Sequence, residues 1–96
     1  MIRHILLCKL KDASPEATER LVDAIEGLRG ISDGLRALAV GVDFKRSPIS
    51  YDIAAIVDFD DREALARFSA EPRHRVVVEL LRAACSAVAV VDHELP

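Results

Sequence analysis

Over residues 2–10 the side chains alternate between two sides, with Ile2, His4, Leu6, Cys8 and Leu10 on one and Arg3, Ile5, Leu7 and Lys9 on the other. A period of two in so short an apolar run predicts a strand. Ser14-Pro15-Glu16 then has the chemistry of a helix start: a hydroxyl that caps a free N–H, a proline suited to the first turn, and an acid suited to the helix dipole. Ala17, Leu21, Ala24, Ile25 and Leu28 follow at spacings of three and four, the apolar stripe of a helix of about 15 residues. Gly30 and Gly34 are read as its stop. Residues 35–42 predict a second strand, and the polar, proline-bearing segment 44–50 a loop.

Residues 51–59 alternate again, Tyr51, Ile53, Ala55, Val57 and Phe59 against Asp52, Ala54, Ile56 and Asp58, and predict a third strand. Asp60 with Glu63 reads as an N-cap and its acid, ahead of a short helix with Ala64, Leu65 and Phe68 on its apolar side. Glu71-Pro72 breaks that helix, because the residue before proline leaves the α region, and Pro72 opens another. His74, Val77, Val78, Leu81, Ala84 and Cys85 share one side of it, and residues 87–94 predict the last strand. The order β-α-β-β-α-β is the ferredoxin-like split unit, an α+β fold whose antiparallel four-stranded sheet has helices on one face. The other face would expose apolar side chains, so a homodimer packed sheet to sheet, a dimeric α/β barrel, is expected.

Composition narrows the class. Ninety-six residues make a single domain, 1–96, and 51% hydrophobic residues argue for a packed core. A net charge of −3, no tryptophan and only Phe44, Tyr51, Phe59 and Phe68 as aromatics argue against a nucleic-acid partner. The apolar segment at the N-terminus is too short for a membrane span or a signal peptide, so no membrane partner and a cytoplasmic location are expected. Cys8 and Cys85 belong to no metal or redox motif and are expected as reduced core residues. No two of His4, His74 and His93 have the spacing of metal ligands, and the glycines form no phosphate cradle. Asp52 and Asp58 lie about 20 Å apart along a strand and cannot share a proton.

The segments Met1-Ile2-Arg3-His4-Ile5-Leu6-Leu7-Cys8-Lys9-Leu10, Tyr51-Asp52-Ile53-Ala54-Ala55-Ile56-Val57-Asp58-Phe59 and Glu71-Pro72-Arg73-His74-Arg75-Val76-Val77, in this order and spacing, resemble the stress-responsive α/β-barrel (Dabb) family over essentially the whole chain. The resemblance implies a dimeric ferredoxin-like barrel. One plant branch of the family is similar to polyketide cyclases that carry out an aldol condensation with no metal or redox cofactor. Carried over by position, the general base is His74, the tyrosine that assists it is replaced by Phe68, the first-strand histidine is His4, and a third-strand histidine is replaced by Ile53.

The candidate site is therefore His74 as catalytic base, with His4, Tyr51, Ile53 and Phe68 around a small apolar or phenolic molecule in the barrel cavity. No cofactor is expected. Histidine suits the role because its neutral ring takes and returns a proton near pH 7, and a helix start disfavours the charged ring. Tyr51 is a candidate for the missing hydroxyl, and Arg73 and Arg75 for attracting an anion. If an enzyme, the chain would be a cofactor-independent lyase or isomerase of cyclase type. The alternative, from a different class, is a non-enzymatic stress-associated or assembly protein in which the same residues serve packing.

Overall fold

The computed structural model describes all 96 residues, Met1–Pro96. Its elements are β1 (Ile2–Leu10), α1 (Pro15–Glu26), β2 (Leu35–Val42), β3 (Ile53–Phe59), α2 (Arg62–Ala70), α3 (Pro72–Ala84) and β4 (Cys85–Glu94). The strands form one antiparallel sheet in the order β2-β3-β1-β4, the expected ferredoxin-like arrangement. The central strands supply the core: Cys8, Ile53, Ala55 and Phe59 are fully buried and pack with Leu21, Ile25, Ala64 and Phe68 of α1 and α2. The opposite face carries Ile5, Leu7, Ala39, Ala54, Ile56 and Ala89, in register across all four strands. No helix is long and apolar enough to cross a membrane.

Four boundaries differ from the expected ones. The helix that was expected to run for about 15 residues ends at Glu26, capped by Gly27, and Leu28, Arg29 and Ile31 continue in tight turns bonded three residues back. Leu28 is still buried. Asp61, not Asp60, caps α2, its carboxylate accepting from the Ala64 N–H at 2.8 Å, because Asp60 is occupied by Arg36 and by its own backbone bond to Gly34. The third strand begins at Ile53 instead of Tyr51. Cys85 begins β4 opposite Leu10 and does not end the helix.

Two chain reversals hold these elements in place. Gly34 adopts φ 88°, and a Cβ there would stand 2.5 Å from that of Ala64, so only glycine lets β2 start this close to α2. In the β2–β3 loop Arg46 adopts φ 56°, an uncommon conformation for a residue with a side chain. It directs its backbone N–H to Asp43 at 2.8 Å and its guanidinium to Asp52 at 2.7 Å. Asp52 is buried and also accepts the Leu10 N–H at 2.6 Å. Burial pushes its carboxyl up, but the Leu10 N–H and Arg46 outweigh that and hold it below the usual carboxylate range.

Candidate functional site

The hinge between α2 and α3 is a single residue. Glu71 has extended backbone angles, closes α2 through its N–H to the Phe68 carbonyl, and accepts the N–H groups of His74 and Arg75 with its own carbonyl. Pro72 fixes the first turn beyond it. This kink folds His74 back onto Phe68, six residues earlier, with ring centroids 4.8 Å apart and planes tilted by 56°. Phe68 in turn leans on Phe59 at 5.1 Å. The imidazole is thus half-buried on an aromatic stack anchored in the core. Burial holds its pKa below the ordinary histidine range; hydrogen bonding to the Ser69 backbone opposes this, and the nearby His4 adds to it. A neutral ring at neutral pH follows, with burial and not the helix start as the first cause.

His4 lies across from His74 on the helix-covered side of β1. Its cross-strand neighbour on β4 is Asp92, and its Nδ1 lies 2.5 Å from the Asp92 carboxylate. With the carboxylate ionised, Nδ1–H donates and Nε2 is the remaining polar atom of the ring. Asp92 was not among the expected site residues. It stands 88 positions from His4 in the chain, and only the pairing of first and last strands brings the two together.

Between these histidines and the far end of α3 runs a concavity of about 430 Å³. Val78 and Leu81 of α3 form one wall, Leu6, Val88 and Val90 of the sheet form the other, and Arg82, Cys85 and Ser86 close the end away from the histidines. It lies within one protomer, between α3 and the sheet. The expected place, the space that two facing sheets would enclose, is on the other side of the sheet. Val88 and Val90 remain 45% and 48% exposed because no helix covers β4.

The structure brings together His74, His4 and Phe68. Ile53 is buried in the core two strands away from β4 and does not line the concavity. Tyr51 sits outside β3, in a different hollow with Leu7, Gly41 and Ala54 of the open face, and Lys9 lies 5.8 Å from its ring centroid. It therefore supplies no hydroxyl next to His74. Arg73 is used locally, donating to the Gly27 carbonyl at the end of α1. His93 is exposed and bonded to the Glu94 carbonyl. Cys8 and Cys85 are free, buried and in mutual contact; burial, together with Cys85, pushes the Cys8 thiol up to about 12, which leaves it un-ionised and inert.

Comparison with known proteins agrees with this architecture. The description of the stress responsive A/B barrel domain family matches residues 2–95. An uncharacterized protein of Streptomyces coelicolor is 32% identical over 97 residues, covering 98% of this chain and 99% of that protein. A dimeric ferredoxin-like protein of unknown function from Thermobifida fusca superposes with a TM-score of 0.88 at 25% identity, covering 98% of this chain and 90% of that one. A hydroxynitrile lyase from Passiflora edulis superposes at 0.86 with 16% identity, covering 99% and 93%. That last likeness shows a common fold.

Proposed function

Because this chain belongs to the stress-responsive A/B barrel domain family, we propose that it is a homodimer, packed through the open sheet faces, in which each protomer binds a small, mostly apolar carbonyl compound beside His74 and removes a proton next to the carbonyl. The observation that carries this reading is the half-buried His74, held below its ordinary pKa on Phe68 at the end of an apolar concavity. A base that stays neutral near pH 7 and faces an apolar wall is matched to proton abstraction from carbon.

In the proposed step the C–H bond breaks, its proton goes to the free ring nitrogen of His74, and its electron pair moves into the carbonyl to give an enolate. Return of the proton to another carbon gives an isomerisation, and attack of the enolate carbon on a second carbonyl gives a ring closure in which the new alkoxide oxygen takes the proton back from His74. Neither outcome draws on an oxidant or a metal. His4, held through Nδ1 by Asp92, is the group assigned to the carbonyl oxygen, donating from Nε2 when the ring carries both protons. Phe68 takes the place of a second proton donor and orients the base. The homodimer rests on the apolar open face, where Ile56 and Val91 are 37% and 57% exposed, and on the dimeric solved relative.

The test is hydrogen–deuterium exchange next to the carbonyl of a panel of alkyl and aryl ketones in heavy water, read by NMR. His74→Gln should lose at least roughly 100-fold of any catalysed exchange, the contribution expected of a positioned base, while light scattering still finds the dimer. Exchange unaffected by His74→Gln, with stability lowered instead, would favour the packing role for this histidine and a non-enzymatic protein.

A further inference from the structure

The concavity is a trough with two unlike ends. His74, Val78, Leu81 and Arg82 are spaced by four, three and one residues along α3, which keeps them on one side of the helix, and Cys85 follows as the first residue of β4. The eight residues from His74 to Arg82 span about 12 Å at the helical rise. Strand β4 leaves α3 directly after Ala84 and returns beside it, so Ser86 stands near Arg82 while Asp92 stands beside His4 at the other end.

Charge follows the same axis. At the histidine end the fixed charges include the carboxylates of Asp92 and Glu94, the latter paired with Arg62 at 2.8 Å. At the other end are Arg82, the Ser86 hydroxyl and Lys11, whose N–H binds the Ala84 carbonyl and whose charge is felt by Cys85; the Asp52 carboxylate, also felt by Cys85, is buried and taken by Arg46 and the Leu10 N–H. Glu79 is the one acid facing Arg82, at 3.2 Å, and both side chains are more than 70% exposed, a pair too solvated to neutralise the guanidinium. Ser86 donates to the Lys9 carbonyl at 3.3 Å and keeps its lone pairs for a donor or cation.

We propose that the trough takes an amphipathic monocarboxylate, a linear chain of roughly eight to ten atoms, with its carboxylate at the Arg82 guanidinium and its carbonyl-bearing end at His74. The walls of Val78, Leu81, Val88 and Val90 cover the chain between. The reverse orientation would set the carboxylate against Asp92. This inference rests on the concavity being the ligand site, and adds to it a substrate class and an orientation. Arg82 is here a specificity residue.

The experiment is calorimetric titration of the purified protein with octanoate and with 1-octanol, repeated on Arg82→Gln, with the His74 ring followed by NMR. Octanoate is expected to bind the native protein roughly tenfold or more tightly than it binds Arg82→Gln, the effect of one charged hydrogen bond. Added salt should weaken octanoate only. 1-Octanol should bind both proteins equally, and both ligands should shift the His74 ring. If octanoate and octanol bind alike and Arg82→Gln changes neither, the carboxylate end is overturned while the ligand site stands. If neither ligand binds or moves the His74 ring, the site itself fails and the orientation with it.

Discussion

On the helix-covered side of the sheet, the apolar side chains of β3 and β4 have opposite fates. Ile53, Ala55, Val57 and Phe59 of β3 are at most 3% exposed, whereas Val88 and Val90 of β4 are 45% and 48% exposed. Val57, Val88 and Val90 are the same residue type, so what separates them is position. Helices α1 and α2 pack against β2 and β3, the helix-side residues Ile2, Leu6 and Cys8 of β1 are buried with them, and β4 is the edge strand beyond. A layer of helices too narrow for four strands leaves a gap, and α3, kinked away from α2 at Glu71, supplies the outer wall of that gap. The core is where the layers match and the trough is where they do not.

Deleting a side chain from each region separates them most strongly. Phe59→Ala removes a ring with no solvent exposure and should cost about 3–5 kcal/mol in denaturant unfolding. A loss below about 1 kcal/mol would mean that β3 is not the core strand described. Asp52→Ala leaves the Leu10 N–H and Arg46 without their partner and should cost about 1–3 kcal/mol. The sign with pH is fixed by the lowered carboxyl: stability from Asp52 is present above the usual carboxylate range and is lost as pH falls through the native-state value. Wild type and Asp52→Ala should therefore converge in acid, which urea titrations at several pH values would show.

Val88→Ala tests the other side of the comparison. It should cost less than about 1 kcal/mol, since half of the side chain is already in water, yet it should weaken 1-octanol binding. A stability loss equal to that of a β3 valine would erase the distinction between the strands. The smallest effect is electrostatic. His74 is held below the ordinary histidine pKa of 6.5, so the unfolded chain takes up its proton first as pH drops. Stability contributed by the neutral ring is complete above that value and declines below it, until the native ring is also protonated. His74→Gln should flatten that part of the stability curve, and an unchanged slope would show that the ring is not held neutral by burial.

The faces of the strands and helices were legible because they are local: alternation at Leu6, Cys8, Val57 and Phe59 and the stripe through Leu21 and Ile25 depend only on nearest neighbours along the chain. Boundaries were less so, since the two adjacent acids Asp60 and Asp61 are equally good caps until Arg36, more than twenty residues away, claims the first. The pairing of His4 with Asp92 carries no local signature at all, and depends on the register of β1 with β4. The face shared by His4 with Ile2, Leu6 and Cys8 already contained the information that a ligand beside it would lie under the helices. What hid the trough was that hydrophobicity along β4 does not reveal the absence of a helix above it. Tyr51 shows the converse: the alternating pattern through 51–59 ignores the buried Asp52, which binds Leu10 and ends the pleat before Tyr51 is reached.

The direct passage from α3 into β4 also bears on the order in which the molecule assembles. Helix and strand are joined without a loop, so their mutual arrangement is settled by neighbours in the chain, while the ladder from Ile2 to Glu94 must close nearly the full length of the polypeptide. Contacts of such long separation carry the largest loop-closure entropy and set the pace of folding. Docking of the α3–β4 unit onto β1 thus closes the longest loop of the sheet, and it is the same event that creates the trough. Molecules that occupy the trough would touch both sides of that closure, Leu6 of β1 and Val88 and Val90 of β4, and so hold the two ends of the chain together.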